Sequence, residues 1–211
     1  MTSGLRVDHV VTSGVFSLDG QDFDVDNNIW LLGDDDQVIV FDAAHQAGPI
    51  AAAVGERKVQ MILATHGHND HINAATDLAG LVGAPVALHP DDRMLWDVVH
   101  ADRAPDLTLA DGQVLELAGV RLHVLHTPGH SPGGVCVLVP DAVLVFSGDT
   151  LFQGGPGATG RSFSDFGTIV ASIRDRLLGL PAATVVHTGH GPTTTIGAEA
   201  PHLDEWIARG S

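Results

Sequence analysis

Thr65-His66-Gly67-His68-Asn69-Asp70-His71 follows the apolar run Met61-Ile62-Leu63-Ala64 and packs three imidazoles and a carboxylate into a single turn. In a tight loop, residues two apart can point the same way. His66 and His68 can therefore share one cation while Asp70 and His71 face a neighbouring one. Three other apolar runs end alike: Val124-Leu125-His126-Thr127-Pro128-Gly129-His130, Val145-Phe146-Ser147-Gly148-Asp149 and Val186-His187-Thr188-Gly189-His190. Each runs into a turn with glycine that presents a His or an Asp. Strands hold such groups rigidly, and glycine lets the backbone turn sharply and approach closely, which a preorganised metal site requires. Four such ends imply convergence on one site.

The rest of the composition sets the frame. The chain has 211 residues, 44% hydrophobic and 17% charged, which predicts one globular domain over residues 1–211. No run reaches the roughly 18 apolar residues of a transmembrane helix. A formal charge of −16 excludes the basic footprint that nucleic acid or an anionic membrane surface would need. The start, Met1 to Asp8, enters a strand-like pattern without a charged and then apolar leader, so a cytoplasmic location is expected. Cys136 is the only cysteine and lies among Val135, Val137 and Leu138, which predicts a buried, inert thiol.

Apolar periodicity predicts strands at Val7–Val15, Ile29–Leu32, Val38–Phe41, Val59–Ala64, Pro85–Leu88, Val135–Val139, Val143–Phe146 and Thr184–His187. Val114–Leu117 and Val120–Leu125 read as a hairpin across Ala118-Gly119. Helices are predicted at Pro49–Val54, Ile72–Leu81, Pro90–Val99 and Ile169–Leu178. Asp34-Asp35-Asp36 reads as a solvated hairpin tip. Many strands in each half, without simple βαβ alternation, favour two sheets covered by helices, a mixed α/β class.

With these motifs in this order, the sequence resembles the metallo-β-lactamase superfamily and, within it, the short bacterial glyoxalase II-like hydrolases. The resemblance runs through Thr65–His71, Thr127-Pro128-Gly129-His130-Ser131-Pro132-Gly133, Gly148-Asp149-Thr150-Leu151-Phe152 and Gly189-His190-Gly191-Pro192-Thr193-Thr194-Thr195-Ile196-Gly197. It implies an αββα four-layer sandwich. It also implies that His66, His68 and His130 hold a first divalent metal, that Asp70, His71 and His190 hold a second, and that Asp149 bridges them. Zinc is the default metal, with iron or manganese as alternatives. Asp42, after the Val38–Phe41 strand, corresponds to an Asp that orients a ligating His through its other ring nitrogen. The implied reaction is attack of a metal-activated water or hydroxide on the acyl carbon of a small-molecule thioester, with Asp70 orienting it and Asp149 bridging the metals.

Only 21 residues follow His190, so the helical domain that docks glutathione in longer glyoxalase II enzymes is not expected. The chain also has no tyrosine. Nine of its ten basic residues are arginine, and its Ala/Gly/Val/Asp richness suggests a high-GC genome, where the carrier could be mycothiol. His45, just past Asp42, and Arg161, the only cation of the loop Gln153–Asp165, are candidate substrate contacts. A lactonase, a single-iron persulfide dioxygenase and an inactive metal-binding scaffold are the competing readings.

Overall fold

In the computed structural model, which describes residues 4–210, the chain forms two six-stranded sheets facing one another. Met1–Ser3, the head of the expected N-terminal pattern, lie outside the described residues. The first sheet consists of β1 (Arg6–Leu18), β2 (Gln21–Gly33), β3 (Gln37–Phe41), β4 (Lys58–Leu63), β5 (Val86–Leu88) and β6 (Leu107–Thr108), paired in chain order. β1, β2 and β3 are antiparallel neighbours; β3 to β6 run parallel. Short crossovers carry α1 (Ala47–Val54), α2 (Asn69–Ile72), α3 (Ala75–Val82) and α4 (Arg93–Val99).

The second sheet contains β7 (Val114–Leu117), β8 (Val120–His126), β9 (Val135–Val139) and β10 (Leu144–Gly148), preceding the small hairpin of β11 (Leu151–Phe152) and β12 (Gly155–Pro156). It is completed by β13 (Val185–Thr188) and β14 (Thr194–Thr195), in the order β14-β13-β10-β9-β8-β7. The helices α5 (Phe166–Ser172), α6 (Ile196–Glu199) and α7 (Leu203–Arg209) belong to this half.

Side-chain alternation along the strands divides the core into three. Trp30, Leu32, Ile39, Phe41 and Leu63 of the first sheet meet Leu122, Val124, Val137 and Phe146 of the second. From the same first-sheet strands, Ile29, Leu31, Val38, Val40 and Ile62 turn the other way onto Ile50, Leu78 and Trp96 of the helices. Behind the second sheet, Val145 and Val186 pack on Ile169, Ile173 and Trp206. Helix, sheet, sheet and helix are the four layers of the expected sandwich.

The differences from the sequence reading have local causes. The predicted Ile72–Leu81 helix is two helices, because the Ala74 N–H donates to Ala43 O rather than continuing the ladder, and α3 starts after it. Strand β2 begins at Gln21, well before Ile29. Its Asp22 and Asp26 sit opposite Ser17 and Ser13, whose hydroxyls donate to them, so cross-strand bonds offset the poor strand propensity of aspartate. Val143 is not in the β10 core run; it takes a left-handed backbone (φ 54) after the Pro140–Ala142 turn and is exposed. The helix ending near Leu178 begins at Phe166, capped by Asp165, and closes in a π turn over Ile173–Leu177. Asp34 Oδ1 accepts the Asp36 and Gln37 N–H groups at the acidic hairpin tip. Cys136 is fully buried, and burial pushes its thiol up to about 11.

The two sheets are stitched at one end, where the four motifs lie. Asn28 N–H donates to Gly189 O and Gly189 N–H to Gly148 O, while Val135 N–H reaches Thr65 O. Glycine is required where these turns crowd: at Gly129 (φ 132) a Cβ would lie 2.2 Å from the Ile169 backbone nitrogen. Gly154 (φ 93) faces open space. Gly129→Ala is therefore expected to cost about 3 kcal/mol and Gly154→Ala about 1 kcal/mol in urea unfolding. Equal losses would show that crowding at Gly129 is relieved by a simple shift.

Candidate metal centre

The turns after β4, β8, β10 and β13, with the short α2 that follows β4, bring seven donor groups into one largely buried cluster. His66 Nε2 lies 3.0 Å from His68 Nδ1, which is 2.9 Å from His130 Nε2. These three rings meet edge to face, at interplanar angles of 86°, 87° and 77°. Their outer atoms decide what the inner ones can do. His130 Nδ1–H donates to Ala158 O at 2.8 Å, leaving Nε2 as a lone pair. The Thr65 hydroxyl donates to Asp42 Oδ2, so it accepts from His66 Nδ1–H, and His66 Nε2 is also a lone pair. Lone pairs crowded this closely are stable around a cation.

The second group adjoins the first. Asp70 Oδ2 is 3.5 Å from His71 Nε2 and 3.3 Å from His190 Nε2, and the two imidazole nitrogens are 3.2 Å apart. Asp149 spans both groups: Oδ2 is 3.5 Å from His130 Nε2 and 3.4 Å from His190 Nε2, and Oδ1 is 3.4 Å from His71 Nε2. His190 Nδ1 bonds Asp26 O at 2.8 Å, and His71 Nδ1 lies 3.1 Å from Asp42 Oδ2. Asp42 thus touches His71 directly and His66 through Thr65. Its backbone is left-handed (φ 56), which turns the chain out of β3 towards the cluster.

The electrostatics divide the cluster in two. Burial drives His66 well below its ordinary value and takes His68 down to about 3, so both rings are neutral. Burial also opposes charge on His71 and His190. There Asp149 and Asp70 prevail, holding His71 well above its usual range and His190 up to about 10. Burial would raise Asp70, but His71 and His190 bring it to about 2; the same two imidazoles hold Asp149 well down against its burial. Buried Asp70 Oδ1 and Asp149 Oδ1 have no hydrogen-bond partner. The carboxylates demand positive charge, and His/Asp donors of this kind suit zinc, iron or manganese. His66, His68 and His130 form one group that could hold a metal ion and Asp70, His71 and His190 another, with Asp149 within reach of both.

Over this floor opens a cavity of about 230 Å³ walled by Phe16, Val25, Phe152 and Ala158. Phe16, from the long β1–β2 hairpin, stands edge-on to His68 at 5.4 Å. Arg161 does not line it: its guanidinium lies 4.8 Å over the Phe23 ring and donates to Gln21, clamping the hairpin tip. His45 is half-buried and bonded to Asn27 and Asn73. His126 stacks on His89 and bonds Pro132 O, while His187 packs against Trp30 and Phe146.

Asp92 and Asn27 are polar residues at the site that the sequence pattern does not single out. Asp92, hidden in what reads as a plain helix, is fully buried and accepts from Gly67 N–H, Ser131 hydroxyl and Gly133 N–H at 2.7, 2.7 and 2.5 Å. It fastens the His66–His68 loop to the His130 loop. The other is Asn27, whose signal was an Asn pair at the mouth of the apolar run Ile29–Leu32. Replacing Asp92 by Asn puts an amide against three donors. We expect Asp92→Asn to lose about 2 kcal/mol of stability and about tenfold in affinity for the cation held by His66, His68 and His130, read by denaturation and chelator competition.

Comparison with known proteins agrees with this geometry. The family model described as the metallo-beta-lactamase superfamily matches residues 23–190. A probable metallo-hydrolase of Bacillus subtilis, YqgX, is 38% identical over 187 residues, covering 82% of this chain and 88% of its own. The hydroxyacylglutathione hydrolase GloC of Haemophilus influenzae is 32% identical, covering 82% and 89%. Among solved structures, the BLEG-1 B3 metallo-beta-lactamase superposes with a TM-score of 0.78 at 30% identity, over 91% of this chain and 98% of that one. TTHA1623 in a di-iron-bound form does so with a TM-score of 0.74 at 35% identity, over 83% and 93%. A shared fold, the cluster at its strand ends and relatives of this similarity place the chain in one family: it belongs to the metallo-β-lactamase superfamily of metal-dependent hydrolases.

Proposed function

We propose that the protein is a dinuclear, glyoxalase II-like hydrolase of small-molecule thioesters. The observation that carries this reading is Asp149, whose two oxygens reach both donor groups and make one two-cation floor beneath the cavity. GloC, a hydroxyacylglutathione hydrolase by name, supports the substrate class. The di-iron form of TTHA1623 supports two metals and keeps iron beside zinc as the candidate.

Bound there, two divalent cations would supply a water acidified towards neutral pH and stabilise negative charge developing on the acyl oxygen. The chain's own groups do the rest. Asp70 is anionic, and its Oδ1, free of other hydrogen-bond partners, can accept from the water and orient it while the water's proton leaves to solvent. Phe16, Val25 and Phe152 give the acyl group an apolar wall and exclude bulk water. Attack by the water oxygen forms the new C–O bond as C–S breaks. The leaving thiolate is stable enough to depart without a general acid.

The carrier follows from charge. No Lys or Arg is among the described residues lining the cavity, and the chain carries −16 overall. The two carboxylates of a glutathione carrier would meet no Lys or Arg among those residues. A carrier dominated by hydroxyl groups, as in mycothiol, fits better.

Metal analysis of protein purified without added metal, read beside a thioester panel containing lactoylglutathione and an acyl-mycothiol, tests this. We expect two metals per chain, thioester turnover and preference for the less anionic carrier. His68→Ala should lower turnover by about a hundredfold or more. A single iron with oxygen consumption on a persulfide would overturn the hydrolase, and turnover of lactones alone would overturn the thioester.

A further inference from the structure

Asn27 is fully buried on β2, and a chain of unambiguous donors fixes which way its amide points. The His45 backbone N–H can only donate, and it donates to Asn73 Oδ1 at 2.5 Å. Asn73 Nδ2 therefore faces His45 Nδ1, at 3.1 Å, and that ring nitrogen accepts. The proton of the imidazole is then on Nε2, which donates to Asn27 Oδ1 at 2.9 Å. This leaves Asn27 Nδ2 turned into the cluster, 3.1 Å from Asp70 Oδ2, 3.3 Å from His71 Nε2 and 3.4 Å from His190 Nε2.

The relay has structural costs that a filler would not need. His45 is in the left-handed region (φ 58), which few residues other than glycine adopt. In β1, Gly14 leaves room for it: a Cβ there would lie 2.1 Å from His45 Nδ1. Asn28, next door, turns its side chain the other way, onto Thr188 O and Gly191 O. The two asparagines thus have separate tasks.

We propose that Asn27 is the positioning residue of the cation position formed by Asp70, His71 and His190, aimed there by His45 and Asn73. The proposal rests on the two-cation reading. When His71 Nε2 and His190 Nε2 give their lone pairs to a cation, Asp70 Oδ2 is the acceptor left among the three. The amide holds that carboxylate at the angle the second cation needs. His45 acts through Asn27 and does not itself meet substrate.

Zinc titration of metal-stripped protein, followed by calorimetry and chelator competition, tests this on the wild type, Asn27→Ala, His45→Ala and His45→Gln, with circular dichroism as the check on folding. The wild type should bind two equivalents. Asn27→Ala should weaken the second step about 10–100-fold and leave the first within about threefold. His45→Ala should weaken the same step less, and His45→Gln, whose amide can still donate to Asn27 Oδ1, should recover most of it. An unchanged second step in folded Asn27→Ala, or identical behaviour of the two His45 variants, would overturn the relay. A wild type that takes up only one equivalent would instead overturn the two-cation reading and the relay with it.

Discussion

The arrangement depends on negative charge held where water is scarce. Asp42, Asp70 and Asp149 are buried within a shell of imidazoles, and a buried carboxylate is stable only beside positive charge or dense hydrogen bonding. Asp42 is satisfied by Thr65 and His71. Asp70 and Asp149 face imidazole nitrogens that become cationic in response, while His66 and His68 stay neutral nearby. Such a cluster has metal-ion charge as its natural counterpart: imidazole lone pairs on one side, carboxylates on the other.

The sandwich serves this constraint by placing loops rather than by supplying chemistry. Most of the donor groups stand just beyond a strand whose apolar residues lock it between layers, as Ile62 and Leu63 do before His66, and Val145 and Phe146 before Asp149, while Asp70 and His71 sit on the short α2. The loops then cross-brace one another. Asp92 ties the first two ligand loops, Asn28 ties β2 to the His190 loop, and Asn27 reaches the cluster from the same strand. Glycine permits this packing at Gly148, where a Cβ would lie 2.3 Å from Thr65 Oγ1. Function therefore sits in the turns, and the layers keep them still.

The clustering of the candidate donors was legible because donor chemistry is local: His66 to His71 declare themselves within one turn, and the matching strand ends repeat the signal. The four layers were legible from apolar periodicity together with the motif order. What escaped depends on contacts distant in sequence. Asp92 lies 39 residues from Ser131, with which it bonds, and no spacing rule joins them. Arg161 looked like a pocket cation because its loop does border the cavity, but its guanidinium lies over Phe23, 138 positions earlier. The β2 extension was hidden because alternating aspartates read as a loop until their serine partners across the hairpin are known.

Everything proposed for this site turns on whether two cations share the floor through Asp149. Anomalous diffraction from crystals of the metal-loaded protein, recorded across the zinc and iron absorption edges, addresses it most directly. Two anomalous peaks are expected, one among His66, His68 and His130 and one among Asp70, His71 and His190, with Asp149 between them. A single peak, or a second one whose neighbours exclude Asp70 and His190, would contradict the shared floor.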